Sequence, residues 1–255
     1  MTEIRNAVCS WRMALAVFLV VAILMNPFYL DVVFLKNMWR YMSHYDVLDL
    51  IIDPMAASGF TPFACIFPMI PCGIRFAEEY NSNYIRFTLP RSGRISYITR
   101  KILANLIAGG CVTAFAFAIV FTFLAIGGKA VTPDTEISEF YVNTIWMPYV
   151  LIWGGKFVLF LKVLLAFLHG AIWSLMALLV SAIYTNRYAA IVFPFVIYQV
   201  LWNVWQGKAI NPVYLIRGDW AGYSALYVPY AIQGLVILLL VILNGIFLWR
   251  KCNGK

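Results

Sequence analysis

At 255 residues, 63% apolar and only 12% charged, with a mean hydropathy of +0.83, the chain carries more apolar surface than one soluble core of its size hides. That excludes the ordinary soluble enzyme or binding domain and predicts an all-α integral membrane protein. The formal net charge of +8 reads as membrane topology and contact with anionic lipid rather than nucleic acid, for which no recognition motif is present.

Residues 1–13 open the chain. Ile4, Ala7, Val8 and Trp11 recur at helical spacing while Arg5, Asn6 and Arg12 lie off that stripe, which predicts an amphipathic helix on the membrane surface. Six apolar stretches then reach the length of about 20 residues needed to cross roughly 30 Å of hydrocarbon: residues 14–35, 55–74, 102–126, 163–184, 189–205 and 226–249. The first run is followed by Asn26 and Pro27 rather than a cleavage pattern, so it is expected to stay as a membrane helix with a kink in its outer half. Residues 36–53 mix aromatics with aspartates and are expected to rest at the outer interface.

The second crossing holds Pro54, Pro62, Pro68 and Pro71 with Gly59 and Gly73, a broken helix that has to be covered by protein. After it, residues 75–101 form the one long basic interruption between apolar segments. Tyr80, Tyr84 and Phe87 fall on one face if this stretch is helical, Pro90 disfavours helix at Leu89, and Ser92 is placed to cap the next helix. The prediction is helix, break, helix.

In the third crossing Gly110, Ala114 and Ala118 recur every four residues, with Gly109 beside them, and predict close helix packing. Residues 127–162 read as an outer loop with Lys162 snorkelling at its rim. His169 falls inside the fourth crossing, where a histidine is either a functional group or, more commonly, a packed neutral one. Residues 185–188 make a tight turn, and Gln199 and Asn203 gather near the outer end of the fifth crossing. Asn26, His169, Gln199 and Asn203 are therefore the candidate polar groups of a pathway, with helix packing the plainer reading for Asn26 and His169. Residues 208–224 are too polar to cross and are expected to fold back at the outer interface.

With the first residue inside, the inner flanks carry twelve of the 19 basic residues and three of the 11 acidic ones, which places both termini in the cytoplasm. Five cysteines, none in an outer loop and none in a CxxC, predict no disulfide framework and no metal site. No phosphate-binding loop GxxxxGK[ST] and no HExxH occur. Glu78 and Glu79 raise the reading of an intramembrane prenyl-protein protease, but Asn83 stands where its EExxxR motif needs arginine and His169 is the only later histidine.

The whole pattern resembles the ABC-2 permease family, the membrane subunits of type 2 ABC exporters. The local likeness lies in Phe76 to Lys101: a glutamate after the second crossing, the run Leu89-Pro90-Arg91-Ser92, then Tyr97 and Lys101. The resemblance implies a single transmembrane domain of six helices with an N-terminal surface helix. It implies a cytoplasmic coupling loop at 75–101 that docks into a separate ATP-binding subunit through Glu78, Glu79, Tyr80, Tyr84, Phe87 and Arg91. It further implies two copies of that subunit, which would hold the ATP and Mg²⁺, no cofactor in this chain, and a second permease copy or sister permease. The expected location is the bacterial cytoplasmic membrane. The implied function is export of an amphipathic or apolar cargo such as a peptide, peptide antibiotic, lipid-like molecule or drug. The alternative is a non-transporting membrane sensor or immunity protein that binds a ligand outside.

Overall fold

The computed structural model describes residues 2–26, 55, 58–220 and 222–253 apart from 128–144. The outer loop expected at 36–53, the outer end of the first crossing and residues 128–144 of the loop expected at 127–162 lie outside the described residues. Among the described residues there are eleven α-helices, one 3₁₀ turn and no strand. They are α1 (Thr2–Val8), α2 (Trp11–Leu24), α3 (Phe60–Phe63), the 3₁₀ turn Phe67–Met69, α4 (Arg75–Asn81), α5 (Ile85–Ser92), α6 (Arg94–Gly127), α7 (Met147–Trp153), α8 (Gly155–Ile183), α9 (Ala189–Val204), α10 (Pro212–Arg217) and α11 (Tyr227–Asn253).

Among the described residues three helices are long and apolar enough to cross a membrane: Arg94–Ile126, Gly155–Ile183 and Tyr227–Asn253. Shorter apolar helices occupy Trp11–Leu24, Phe60–Met69 and Ala189–Val204. The outward face of α11 exposes Leu235, Leu238, Leu239 and Ile242, more than half of each side chain open. A contiguous apolar stripe of that size is stable against hydrocarbon and not against water. The fold is that of an all-helical integral membrane protein.

α8 is the central post. It packs along α6 most extensively and also touches α11, α9 and α10. At its crossing with α6, a Cβ on Gly109 would collide with Ser174, and a Cβ on Gly170 would collide with Gly109 and Thr113. The backbones meet there because neither glycine has a side chain. Thr113 Oγ1 donates to the Ala166 carbonyl at 2.6 Å and Ser174 Oγ to Asn105 Oδ1 at 3.3 Å, so the close approach also satisfies buried hydroxyls. The small-residue stripe expected at Gly110, Ala114 and Ala118 is thus displaced by a fraction of a turn. Gly110 faces the Phe167 ring, and Ala118 lines an open groove against α2.

The second apolar stretch is broken as its prolines require: α3, a turn, the 3₁₀ segment, then turns up to α4. Its core residues Phe60, Cys65 and Met69 are buried. Carbonyls freed by the break are taken by α9, where Tyr198 Oη donates to Thr61 O at 2.6 Å and Gln199 Nε2 to Pro62 O at 2.7 Å.

Two elements begin elsewhere than the hydropathy pattern implies. The stretch 1–13 is not one helix: α1 ends at Val8, and Ser10 caps α2, the helix of the first apolar stretch, accepting from the Met13 amide at 3.2 Å. α1 then lies against α6, with Ala7 buried among Cys72, Ala104 and Ala108. α8 starts at Gly155, so Lys162 is two turns inside rather than at a rim and only 2% exposed. Its ammonium donates to the Arg217 carbonyl at 2.9 Å and lies 4.9 Å over the Trp146 ring, beside the Arg217–Asp219 ion pair. This contact ties α10, the segment expected to fold back between the last two crossings, onto α8. Tyr223 adds to that cap by donating to the Ala209 carbonyl at 2.9 Å, and burial reinforced by the Asp219 charge holds its phenol above the ordinary tyrosine pKa.

Candidate functional site

The basic segment after the second apolar stretch folds into α4, α5 and the first turns of α6. Its breaks fall at Asn83 (φ 58°) and Gly93 (φ 74°). Pro90 does not break the chain as the sequence implies, but sits in the last turn of α5. The carbonyl that proline leaves without a donor belongs to exposed Arg86, where water reaches it. Ser92 does not cap α6, because its hydroxyl donates back to the Thr88 carbonyl at 2.8 Å.

The break at Asn83 divides the expected aromatic ridge. Tyr80 stays on α4, tilted against Phe76 and under the Lys251 ammonium, whose nitrogen is 5.1 Å from the ring centre. Tyr84 and Phe87, by contrast, are 54% and 68% exposed, while Ile85 beside them is 1% exposed and pins α5 to the core. Arg86 and Arg91 flank them, also exposed.

Glu78 and Glu79 do not point outward with that ridge; each is held within the chain. Glu79 accepts from Lys101 Nζ at 2.5 Å and from Tyr97 Oη at 2.8 Å. Lys101 also pairs with Glu3 of α1 at 3.4 Å, and only 6% of this lysine is exposed. Glu78 meets the Arg12 guanidinium of α2 at 3.3 and 3.4 Å, and Arg75 Nη2 donates to the Asn6 carbonyl at 3.3 Å. A buried ammonium is stable only with its carboxylates in place, so this network fixes α1, α2, α4 and α6 to one another. Spacing in the sequence does not reveal the pairings of Lys101, Tyr97, Glu3 and Arg12, because they join distant parts of the chain and carry no local signal.

The same end of the bundle gathers other elements. Asn81 Nδ2 donates to the Thr185 carbonyl at 2.7 Å, bringing in the turn between α8 and α9, and Arg94 donates to Asn253 Oδ1 at 2.7 Å, bringing in the end of α11. Tyr184 and Tyr188 are more than half exposed beside Arg187. The result is a basic face that presents four exposed aromatics: Tyr84, Phe87, Tyr184 and Tyr188.

The expected polar pathway groups do not converge. His169 is 1% exposed, packed 6.0 Å from Trp173 and 6.2 Å from Tyr198 by ring centres, with Nε2 lacking a hydrogen-bond partner among the described residues. Gln199 serves the broken helix, Asn203 is exposed and donates to the Gln199 carbonyl, and Asn26 is half-buried at the last described position of its segment. The buried amides of the bundle are instead Asn105, Asn211, Gln233 and Asn244, which donate to the carbonyls of Lys101, Trp202, Leu215 and Leu175. All five cysteines are free, and the described residues contain no cluster of metal-ligating side chains.

Fold and site together define an all-helical integral membrane protein with a basic face carrying exposed aromatics at one end. Neither a protein-family model, nor a curated protein, nor a solved structure matches this chain.

Proposed function

We propose that the chain is the permease subunit of an ATP-driven exporter of the ABC-2 type. In this reading the shorter apolar helices join the three long ones to complete six crossings, and the basic face lies in the cytoplasm with both termini. One observation carries the reading: Tyr84 and Phe87 stand outward on the short α5 segment, which Ile85 pins to the core and which follows α4, itself tied to α6 and α1 through Glu79, Lys101 and Glu3 and to α2 through Glu78 and Arg12. Exposed aromatics flanked by arginines on a rigid mount suit insertion into a groove of a partner subunit. In this reading force applied to α5 passes through the Ile85 contact and α4 to α6, α1 and α2.

ATP and Mg²⁺ belong to the partner, present in two copies, and a second permease copy or a sister chain completes the pathway. Alternation between inward-facing and outward-facing states is a rigid-body change driven by closure of the ATP-binding subunits. The apolar interior suits an amphipathic or apolar cargo.

The test is co-purification from the native membrane through a C-terminal tag, comparing the wild type with the Tyr84→Ala, Phe87→Ala double variant. Recovery of a soluble protein bearing a phosphate-binding loop with the wild type, and its loss with the variant, is the expected outcome. Absence of any nucleotide-binding partner in both samples refutes the exporter and leaves the membrane sensor or immunity protein as the better reading.

A further inference from the structure

A groove runs between α2 and α6, open sideways, with a volume of about 1150 Å³. Its walls are apolar: Met13 and Ala118 at the floor, Phe18, Phe115, Ile119 and Ile126 on the exposed lips. Along α2 the lining extends from Ser10 to Val21, about 16 Å at 1.5 Å per residue, which is close to half of a hydrocarbon core of roughly 30 Å. The groove is one leaflet deep.

Its mouth is different in kind. At Ser10 and Trp11 it adjoins a second recess of about 430 Å³ lined by Arg12, Arg75, Glu78 and Glu79. Arg12 spends two donors on Glu78, and Arg75 one on Asn6. A guanidinium has five N–H donors in a fork that matches phosphate oxygens, so both arginines keep donors for an anion. Glu78, whose side chain is 36% exposed, stands beside them as an acceptor for a cation. Trp11 is 74% exposed at the junction, where an amphipathic ring favours the headgroup boundary.

We infer that this groove and recess bind one membrane aminophospholipid, its phosphate on Arg12 and Arg75, its ammonium on Glu78 and one acyl chain between α2 and α6. The length of the groove sets the acyl chain, and the paired charges set a headgroup carrying both signs. A lipid in this place clamps α2 to the face that carries α5. The inference requires only that α2 and α6 lie in a membrane; it stands or falls separately from the exporter proposal.

The test is native mass spectrometry of the full-length protein in mild detergent, before and after delipidation, with phosphatidylethanolamine, phosphatidylcholine and phosphatidylglycerol of matched chains added back. One phosphatidylethanolamine is expected to be retained, with a preference of about tenfold over the other two, the size of one charge-assisted contact. Ala118→Trp, which fills the groove, and the Arg12→Gln, Arg75→Gln pair are each expected to abolish retention. Leu238→Trp, on the lipid-facing side of α11, leaves it intact and controls for folding, as does thermal unfolding of every variant. Equal retention of the three lipids, or retention that survives Ala118→Trp, overturns the proposal. So does cross-linking of two copies through exposed Cys9 at the groove, blocked by Ala118→Trp, since the occupant is then a second copy of this chain.

Discussion

Lys101 is the residue on which the basic end of the molecule depends. It sits 6% exposed between Glu3 and Glu79, and an ammonium so placed loses its compensation when either carboxylate goes. Glu79→Gln is therefore expected to destabilise the protein by about 3 kcal/mol, the cost of breaking a buried pair, seen as a lower unfolding temperature in detergent. Adding Lys101→Met to that variant is expected to restore part of the loss, because the unpaired charge is then gone; a double variant no better than the single one counts against this assignment. The adjacent glutamates stand out in the sequence because topology does not explain acidic residues on an inner flank. Their partners are not legible there, since no local rule pairs Glu3 with Lys101 or Arg12 with Glu78.

The same scale decides between two small-residue stripes. Gly109 and Gly170 lie where helix backbones touch, and alanine at either is expected to cost about 1–3 kcal/mol through overpacking. Ala118 faces a groove, so Ala118→Leu is expected to change stability by less than about 0.5 kcal/mol. Thermal unfolding of the three variants checks both statements. Spacing by four identifies a close-packing helix; which of two adjacent glycines faces the neighbour is fixed by the rotation of α6 against α8, and that depends on a partner helix distant in sequence.

At the scale of elements, the length and polarity of α4 and α5 follow from the sequence, while their boundaries do not. Pro90 is the strongest local breaker, yet the chain bends at Asn83 and Gly93 on either side of it. A proline near the end of a helix loses little when the orphaned carbonyl is in water, whereas Gly93 at φ 74° occupies a region that side chains strain to adopt. Gly93→Val is accordingly expected to destabilise the α5–α6 junction by about 1–2 kcal/mol, read as earlier local opening by hydrogen exchange in α5. Tyr84→Ala and Phe87→Ala, at exposed positions, are expected to leave the unfolding temperature unchanged within the effect of about 0.5 kcal/mol typical of surface sites. Tyr80→Ala loses its contacts with Phe76 and Lys251 and is expected to lower it. If all three behave alike, the division of the aromatic ridge by the Asn83 break is wrong. The early start of α8 has a similar cause: Lys162 looks like a rim residue by charge alone, and its burial is supported by the Trp146 ring and the Arg217 carbonyl, which come from distant parts of the chain.

For the whole molecule, hydropathy identifies the three long spans well because hydrocarbon imposes both length and composition on a crossing helix. It also marks the proline-rich stretch as broken, and the structure accounts for how that stretch is tolerated, with α9 side chains bonded to the freed carbonyls. Contacts of Glu3 with Lys101, Asn81 with Thr185 and Arg94 with Asn253 place α1, the α8–α9 turn and the end of α11 at one end of the bundle, with α7 and α10 at the other. In the proposed reading this basic, aromatic end faces the compartment that holds ATP.

Single cysteines introduced at Phe87, Arg187 and Trp153 in a cysteine-free background, probed with a membrane-impermeant maleimide on intact cells and again after lysis, test that claim most directly. Protection of Phe87→Cys and Arg187→Cys until lysis, with Trp153→Cys labelled from outside, is the predicted result. Labelling of Phe87→Cys on intact cells contradicts the account, because an α5 outside the cell has no ATP-binding subunit to meet.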